Sequence, residues 1–322
     1  MARALYEPGL GYYATSRERP TRGGDFLTAP ELHPIFGRAV GRQVEEMWRR
    51  LGEPVEFTVR EYGAGRGTLG AALPPKLRYE PAEFDAAAPG GAIVGCVLAN
   101  EFLDALPVHR VVMAGGRLRE LYVDWSGQRF AEVAGEPSSD RLGEWFDGRG
   151  IDLADGQRAE VNLAMLDWLV GLPAQLERGH VLIFDYGLPA AEMYGSARLK
   201  GTLRAFRSHH VSSDALAGAG RQDLTAHVDL DALEAGAAQA GLGVLGHTTQ
   251  AEFLVGCGLE ALLEEERAEA GEDWEARLTL RSAVRRLLDP RALGGYTVVV
   301  LGRGVQPEPP LAGLSYRLPR RR

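Results

Sequence analysis

The chain has 322 residues, of which 45% are hydrophobic and 25% are charged, as is usual for a globular protein. No apolar run approaches the roughly 20 residues that a membrane span needs, and the N-terminus lacks the apolar core of a signal peptide, so we expect no transmembrane helix and a cytoplasmic location. The net charge of −8 argues against a nucleic-acid partner, because phosphate contacts require clustered Lys and Arg.

The first half of the chain predicts one long helix and three strands. Residues 1–32 are rich in Gly, Pro and Tyr and are predicted to be irregular. A helix is predicted over 33–51, where apolar residues recur at steps of three and four. A strand at 57–62 leads into a glycine-rich turn, and a second strand is predicted near 77–79. The continuous apolar run 92–99 predicts a buried strand that ends in Asn100-Glu101.

The second half predicts a β insertion followed by alternating helices and strands. In chain order we expect short antiparallel strands over 110–130, a loop at 134–156, a helix at 157–172 and a buried strand at 181–184. An irregular polar stretch at 188–228 is followed by a helix at 229–240, with Asp229 as its N-cap, and by further helices over 250–288. The chain then continues with a strand at 296–301 and a disordered tail at 319–322. Buried strands alternating with helices predict an α/β fold built on a mainly parallel sheet.

The first glycine-rich turn is the strongest local motif. Gly63, Gly65 and Gly67 follow the strand at 57–62, which carries an acidic residue, Glu61, just before the turn. A dinucleotide-binding turn would have its third glycine at the position of Thr68, and a phosphate-binding loop would require a lysine that is absent. The turn suits a ligand with an amino group and a sulfonium cation but no phosphate, with Glu61 binding the cationic end. The alternative is a purely structural turn with a solvated carboxylate.

A second acidic side chain is expected at the end of the neighbouring strand, where it would bind ribose hydroxyls. Glu83 is the first candidate for this role, and Glu80 and Asp85 are the alternatives. Each of the three is equally compatible with an ordinary surface carboxylate.

The polar ends of the other buried strands are candidate site residues, because ligands of open α/β sheets bind outside the carboxyl ends of the strands. Asn100 and Glu101 directly follow the apolar run, and Asp104 lies one turn further on. Asp185 ends the next buried strand. The alternative is that Asn100 or Asp104 caps a helical turn and that Asp185 accepts hydrogen bonds from loop amides.

The residue pattern supports neither a metal site nor a disulfide. The histidines show no metal-ligand spacing, so we expect no metal site. Cys96 and Cys257 are the only cysteines, and each lies in an apolar stretch, which favours buried free thiols over a disulfide. Lys76 and Lys200 are the only lysines, and this bias towards arginine is typical of a GC-rich bacterium.

Together, the motifs resemble those of the MidA-type methyltransferases, a family that includes a mitochondrial arginine methyltransferase that assists assembly of respiratory complex I. The matching segments keep the order of the family and extend over nearly the whole chain. They are residues 9–13 (GLGYY), 24–31 (GDFLTAPE), 61–69 (EYGAGRGTL), 100–109 (NEFLDALPVH), 185–187 (DYG), 201–203 (GTL) and 222–229 (QDLTAHVD).

The resemblance implies a Rossmann-like class I methyltransferase core, with a mainly parallel seven-stranded sheet and a small β-containing insertion. It implies four parts: an N-terminal active-site segment with a helix at 1–56, the first half of the core at 57–109, the β insertion at 110–156, and the second half with a helical substrate-side region at 157–322. The implied cofactor is S-adenosyl-L-methionine, bound by Glu61, Gly63, Gly65, Gly67, Glu83 and Asn100.

The resemblance also implies dimethylation of a protein arginine, with a respiratory complex I subunit as the substrate. Glu101 is the expected catalytic carboxylate, because a carboxylate can pair bidentately with a guanidinium and orient one of its nitrogens. Asp104, Asp25 and Glu31 are further catalytic candidates. We allow for a homodimer.

One stretch departs from the family pattern. The residues at 68–96 must hold everything between the glycine turn and the end of the 92–99 strand, although one βαβ unit takes about 30 residues. Either this edge of the sheet is trimmed or residues are missing from the stretch. Two other hypotheses stay open. One is a small-molecule methyltransferase with an enclosed pocket beside Glu101, and the other, motivated by the short stretch, is a non-catalytic assembly factor that has kept the fold.

Overall fold

The computed structural model describes residues 1–15, 28–83, 90–207 and 210–318. Within these ranges the chain has the predicted α/β fold. No described helix is long and apolar enough to cross a lipid bilayer. The tail at 319–322, for which we predict disorder, lies outside the described residues.

The helices of the described ranges vary from single turns to 17 residues. They are α1 (Ala2–Tyr6), α2 (Tyr12–Thr15), α3 (Ala29–Leu32), α4 (Pro34–Arg50), α5 (Thr68–Ala71), α6 (Arg141–Asp147), α7 (Leu163–Gly171), α8 (Ala190–Met193), α9 (Leu230–Gln239), α10 (Gln250–Gly256), α11 (Leu259–Ala270), α12 (Trp274–Leu288) and α13 (Ala312–Ser315).

The strands belong to four separate sheets. They are β1 (Phe57–Tyr62), β2 (Arg78–Ala82), β3 (Ile93–Asn100), β4 (His109–Ala114), β5 (Arg117–Trp125), β6 (Phe130–Gly135), β7 (Arg158–Val161), β8 (Leu176–Asp185), β9 (Gly187–Leu188), β10 (Arg204–Arg207), β11 (His210–Ser212), β12 (Asp223–Thr225), β13 (Val228–Asp229), β14 (Gly243–Thr249) and β15 (Thr297–Arg303).

The chain folds into two compact units, each assembled from three segments. The first unit comprises residues 1–26, 103–168 and 187–236, and the second comprises residues 27–102, 169–186 and 237–322. The second unit contains the largest sheet, and the first contains the β insertion.

The sheet of the second unit has six strands in the order β14-β15-β8-β3-β1-β2. The pairs β1–β2, β1–β3 and β3–β8 are parallel, whereas β15 runs antiparallel to both of its neighbours. After β1 the chain adds β2 on one side and β3 on the other, so the strand order reverses at β1. Such a switch point is where open α/β sheets bind their ligands, outside the carboxyl ends of the strands.

One face of this sheet packs against helices to form the main hydrophobic core. The helix predicted at 33–51 is α4, whose apolar residues are buried along one side, as their spacing predicts. Phe184 of β8 contacts Phe36 of α4 and Phe253 of α10 in edge-to-face arrangements, with ring centroids 5.4 and 4.9 Å apart. Cys96 is fully buried in this core, and burial raises the pKa of its thiol to about 12.

The sheet is shorter at the β2 edge than the seven strands that the family resemblance implies. The described residues between the glycine turn and β3 hold only α5 and β2, and β2 is the edge strand. The described residues thus fit a trimmed edge, one of the two explanations offered for the short 68–96 stretch, and they hold six of the expected seven strands. The α/β class itself is as predicted.

Four stretches form different elements from those that the sequence predicts. The region 1–32, predicted to be irregular, contains α1, α2 and α3, and the predicted loop at 134–156 contains α6. The predicted helix at 157–172 starts as a strand, β7, before α7 begins. The polar stretch 188–228 contains the short sheet β11-β10-β12. In addition to these four stretches, β14 forms at Gly243–Thr249, where no element was predicted.

Short apolar runs explain these differences, because four or five residues fit a strand and a helical turn equally well. In α6 the residues Leu142, Trp145 and Phe146 are buried at helical spacing, although the stretch around them is polar. At the junction of β7 and α7, Asn162 accepts a hydrogen bond from the Met165 N–H (2.9 Å) and caps the helix.

The first unit contains the predicted antiparallel β insertion. Its four strands lie in the order β6-β5-β4-β7, so β7 extends the sheet beyond the 110–156 stretch. The predicted N-cap of α9 is also present, since Asp229 Oδ1 accepts a hydrogen bond from the Ala232 N–H at 3.0 Å. Asp229 also pairs with Arg149 at 2.5 Å, which fixes this helix start within the unit.

Candidate active site

The glycine turn lies at the carboxyl end of β1, at the switch point of the sheet. Gly63, Gly65 and Gly67 have φ angles of +68°, +53° and +71°, a left-handed conformation that side-chain-bearing residues adopt only with strain. The Gly63 N–H donates to the Ala82 carbonyl at 2.9 Å, and Gly67 is the N-cap of α5. The turn therefore ties β1 to β2 and starts the next helix.

The three glycines differ in what surrounds their α carbons. A Cβ on Gly63 would lie 3.1 Å from Cδ2 of Phe102, so this glycine allows close packing against the residue that follows Glu101. A Cβ on Gly65 would meet only the Gly63 carbonyl oxygen, at 4.0 Å, so it would project into open space. The main chain at Gly65 is thus accessible to a ligand, and an added methyl group would fill part of that space.

Glu61, the residue before the last of β1, is buried with its carboxylate at the turn. Its Oε2 accepts a hydrogen bond from the Tyr79 hydroxyl at 2.6 Å, and its carboxylate also accepts one from the Gly70 N–H. Burial raises the pKa of Glu61 to about 7, and the negative charge of Glu83 contributes in the same direction. A cation beside this carboxylate would favour its ionised form.

Tyr79 is a site residue that we did not identify from the sequence. It lies in β2 opposite Val59, two residues before Glu61 on β1. Side chains two residues apart on a strand share a face, so Tyr79 and Glu61 lie on the same side of the sheet. The strand register supplies this information, and the sequence alone does not specify it.

The three candidates for the ribose carboxylate are now distinguished by position. Glu83 is exposed directly after β2 and lies near enough to Glu61 and Tyr79 to raise the pKa of both. Glu80 instead pairs with the buried Arg60 at 2.9 Å and so serves the sheet interior. Asp85 lies outside the described residues. Glu83 is thus the candidate that the structure brings close to the glycine turn.

Asn100 is the last residue of β3, the neighbour of β1, and Glu101 directly follows it. Asn100 is buried, and its Nδ2 donates to Oε1 of Glu101 at 3.4 Å. Its Oδ1 is buried with no hydrogen-bond partner among the described residues, which leaves an acceptor at the strand end for a ligand N–H or O–H group.

Glu101 has a strained backbone and an anchored carboxylate. Its φ angle is +50°, and in the described part of the chain Glu53 is the other non-glycine residue with a positive φ. Such strain is concentrated at functional sites. The Glu101 N–H donates to the Phe184 carbonyl at 2.8 Å, which holds the distorted backbone against β8. Its Oε1 accepts a hydrogen bond from the Ala29 N–H at 3.2 Å.

The remaining catalytic candidates occupy different places. In the described part of the 24–31 segment, Ala29 at the start of α3 contacts Glu101 through its main-chain N–H, whereas Glu31 lies half-buried in the first turn of that helix. Asp25 lies outside the described residues. Asp104 is buried in the first unit, where its charge helps to raise the pKa of Tyr13 well above the ordinary tyrosine value.

Asp185 accepts a hydrogen bond from a loop amide, as the structural interpretation of this residue predicts. It is buried at the end of β8, and its Oδ1 accepts a hydrogen bond from the Tyr186 N–H at 2.9 Å. The ring of Tyr186 packs on that of Tyr296, with centroids 5.3 Å apart. Asp185 therefore stabilises the strand-to-loop junction next to β3.

Comparison with known proteins places this arrangement among methyltransferases. Residues 74–248 match the profile of a family described as "Putative S-adenosyl-L-methionine-dependent methyltransferase". The mitochondrial protein arginine methyltransferase NDUFAF7 homolog of Drosophila melanogaster is 30% identical, with 91% of this chain and 78% of that protein covered. The mitochondrial protein arginine methyltransferase NDUFAF7 of Homo sapiens is 25% identical, with 91% and 76% covered.

A solved structure resembles almost the whole chain. A Burkholderia thailandensis protein crystallised with bound S-adenosyl-homocysteine superposes with a TM-score of 0.86 at 28% identity. The match covers 98% of this chain and 88% of that protein. S-adenosyl-homocysteine is what remains of S-adenosylmethionine after its methyl group has been transferred.

Proposed function

This chain belongs to the family of S-adenosyl-L-methionine-dependent methyltransferases whose profile it matches, and from that premise we propose that it methylates an arginine side chain of a protein. Family membership makes it an enzyme whose methyl donor is S-adenosylmethionine. Two observations support arginine as the acceptor: relatives that are named protein arginine methyltransferases, and the anchored carboxylate of Glu101 at the end of β3.

The residues at the ends of β1 and β3 fit this donor. The carboxylate of Glu61 suits its ammonium group, the open main chain at Gly65 suits close approach of the ligand, and Oδ1 of Asn100 is a buried acceptor that needs a donor. We assign Gly63 and Gly67 to shaping the turn and Glu83 to the ribose hydroxyls. When bound, S-adenosylmethionine supplies a methyl group attached to a positively charged sulfur.

The proposal that a guanidinium accepts the methyl group rests mainly on Glu101. Its carboxylate is fixed by N–H groups of Ala29 and Asn100, and its strained backbone is held by the hydrogen bond to Phe184. The next residue, Phe102, packs against Gly63 of the glycine turn. A fixed carboxylate so close to the donor turn can pair bidentately with a guanidinium and orient one nitrogen towards the donor.

Positioning contributes more to this reaction than proton transfer does. The acceptor nitrogen must approach the methyl carbon in line with the bond that breaks, and holding two reactants in that geometry removes a large entropic barrier. The negative charge of Glu101 also stabilises the methylated guanidinium, which stays cationic after the nitrogen has released its proton. A strained, rigid strand end is well suited to such positioning.

The remaining assignments rest on the family resemblance. We propose Asp104, Asp25 and Glu31 as secondary catalytic residues and a subunit of respiratory complex I as the protein substrate. We further propose a cytoplasmic bacterial enzyme, with a homodimer allowed, in which residues 1–56 supply an active-site segment and 157–322 a substrate-side region. The first half of the core would be 57–109 and the second half would lie within 157–322, with the insertion at 110–156 between them.

The direct test is transfer of a labelled methyl group from S-adenosylmethionine into a lysate of a strain that lacks this protein, followed by mass spectrometry of the labelled site. We expect label on an arginine of a protein. Glu101→Gln should lower kcat by about 100-fold, in the range of losing one electrostatic contact to the transition state. Its affinity for S-adenosyl-homocysteine should change little, because the substitution removes a charge without changing shape.

Glu53→Gln is the matched control, since Glu53 is also a glutamate with positive φ but is exposed in the loop after α4. It should leave turnover unchanged. Label found only in a small molecule would contradict a protein substrate, label on another side chain would contradict arginine, and full turnover by Glu101→Gln would remove Glu101 from the reaction.

A further inference from the structure

Tyr79 connects three parts of the donor site in the second unit. Its hydroxyl donates to Oε2 of Glu61 at 2.6 Å. Its ring packs on the first turn of α5, where a Cβ on Gly70 would lie 2.3 Å from Cζ of the ring. The same hydroxyl lies 3.9 Å from where a Cβ on Gly67 would be. Tyr79 of β2 thus lies against the Glu61 carboxylate, the last glycine of the turn and the first turn of α5.

The surroundings of Glu61 are polar on the β2 side and apolar on the β3 side. The groups that face its carboxylate are the Tyr79 hydroxyl of β2, the carboxylate of Glu83 just after β2, and the Gly70 N–H of α5. Across β3, the residue in register with Glu61 is Leu98. Two N–H or O–H donors therefore favour the ionised carboxylate, while burial and the charge of Glu83 oppose it.

We propose that Tyr79 is a positioning residue for the methyl donor, whose hydroxyl orients the Glu61 carboxylate and holds it in its ionised form for the ammonium group of S-adenosylmethionine. The inference rests on the proposed role of Glu61 and adds the residue that makes this carboxylate usable near neutral pH. It does not depend on which substrate accepts the methyl group.

The expected pH dependence follows from the sign of each effect. The pKa of Glu61 is about 7, so the carboxylate ionises as the pH rises through this value, and affinity for the cationic end of the ligand should rise with it. The Tyr79 hydrogen bond lowers the pKa of Glu61. Its removal raises that pKa further, so the rise in affinity should move to higher pH.

The test is calorimetric titration of the full-length protein with S-adenosyl-homocysteine from pH 5.5 to 8.5. For Tyr79→Phe we expect about tenfold weaker binding below pH 7 and a midpoint of the affinity-against-pH curve about one pH unit higher, since a hydrogen bond to a charged group is worth about 1.5 kcal/mol or more. At the alkaline end the affinities of the variant and the parent protein should converge. The phenylalanine keeps the ring that packs on Gly70, so the fold should be retained.

Tyr62→Phe is the matched control, because its hydroxyl bonds to Gln175 instead of to Glu61, although the residue is next to Glu61 in β1. It should leave the midpoint unchanged. Glu61→Gln should bind weakly at every pH and lose the midpoint near 7. A pH profile of Tyr79→Phe that matches the parent protein would overturn the role of Tyr79. Unaltered affinity and pH profile in Glu61→Gln would overturn the proposed role of Glu61 as well.

Discussion

Gly65 is the residue at which the turn should be most sensitive to an added methyl group. Its φ is +53°, and the atom nearest to where a Cβ would stand is 4.0 Å away, so the protein itself leaves the space open. The main-chain conformation and the open space are separate requirements, and substitution can test them separately.

For Gly65→Ala we expect a loss of about 1–2 kcal/mol in the free energy of unfolding, from the left-handed backbone. Binding of S-adenosyl-homocysteine should weaken by about tenfold or more, because the methyl group intrudes into a packed ligand site. Denaturant unfolding and calorimetry measure the two effects.

Gly52→Ala provides the comparison, since Gly52 has a φ of +88° and open space but lies after α4, away from the turn. It should cost similar stability and leave affinity unchanged. Equal affinities of the Gly65→Ala and parent proteins would show that the ligand does not approach this main chain.

At the residue scale, the sequence identified the positions that end strands and missed those that support them. Glu61 and Glu101 could be predicted because each stands where an apolar strand stops. Tyr79 and Ala29 could not, because their contacts to these carboxylates depend on the register of β2 and on how α3 folds back to β3.

At the scale of elements, β2 depends on a buried arginine that compensates for the short sheet edge. Arg60 of β1 is fully buried and pairs with Glu80 of β2 at 2.9 Å. Its Nη1 also donates to the carbonyls of Gly91 and Gln175, at 3.2 and 3.4 Å. One guanidinium thus joins the edge strand to the residues that precede β3 and β8.

Replacing Arg60 with Met should destabilise the protein by about 1–3 kcal/mol, because it removes the hydrogen bonds of a buried guanidinium to Glu80 and to the carbonyls of Gly91 and Gln175. Chemical denaturation measures the loss. Arg78→Met is the control, since Arg78 also pairs with Glu80 but is exposed, and exposed ion pairs contribute about 1 kcal/mol or less. Similar losses in the two variants would show that the buried pair does not anchor the edge.

Long elements were more predictable than short ones. The extended apolar stripe of α4 is compatible only with a helix, and the continuous apolar run of β3 was interpreted as a buried strand. The prediction of a single helix at 157–172 was wrong, because Ala159 and Val161 are buried in the strand β7. An apolar run does not indicate where a strand changes to a helix, which happens here at Asn162.

At the scale of the whole molecule, the residues proposed to bind the methyl donor and Asp104 belong to different compact units. Glu61, the glycine turn and Glu101 are in the second unit, and Asp104 is in the first, although it is only three residues from Glu101 in sequence. The turn between β5 and β6 of the first unit therefore serves as a reference for ligand effects on the second unit.

S-adenosyl-homocysteine at 100 times its Kd should stabilise the folded protein by about 2.7 kcal/mol. In hydrogen exchange we expect added protection at the glycine turn and at the end of β3, and none at the turn between β5 and β6 of the first unit. The absence of a thermal shift at millimolar ligand would contradict the donor assignment, and equal protection of the β5–β6 turn would contradict its localisation.

The sequence by itself determined the α/β class, the glycine-rich turn and the two carboxylates at strand ends, because each depends on a local pattern of apolar runs, glycines and the polar residues that stop them. Only the tertiary structure decided that the sheet of the described residues ends at β2, that Tyr79 donates to Glu61, that Ala29 anchors Glu101, and that Arg60 joins β2 to the residues preceding β3 and β8. These contacts join residues far apart in the chain, and strand order and register fix them.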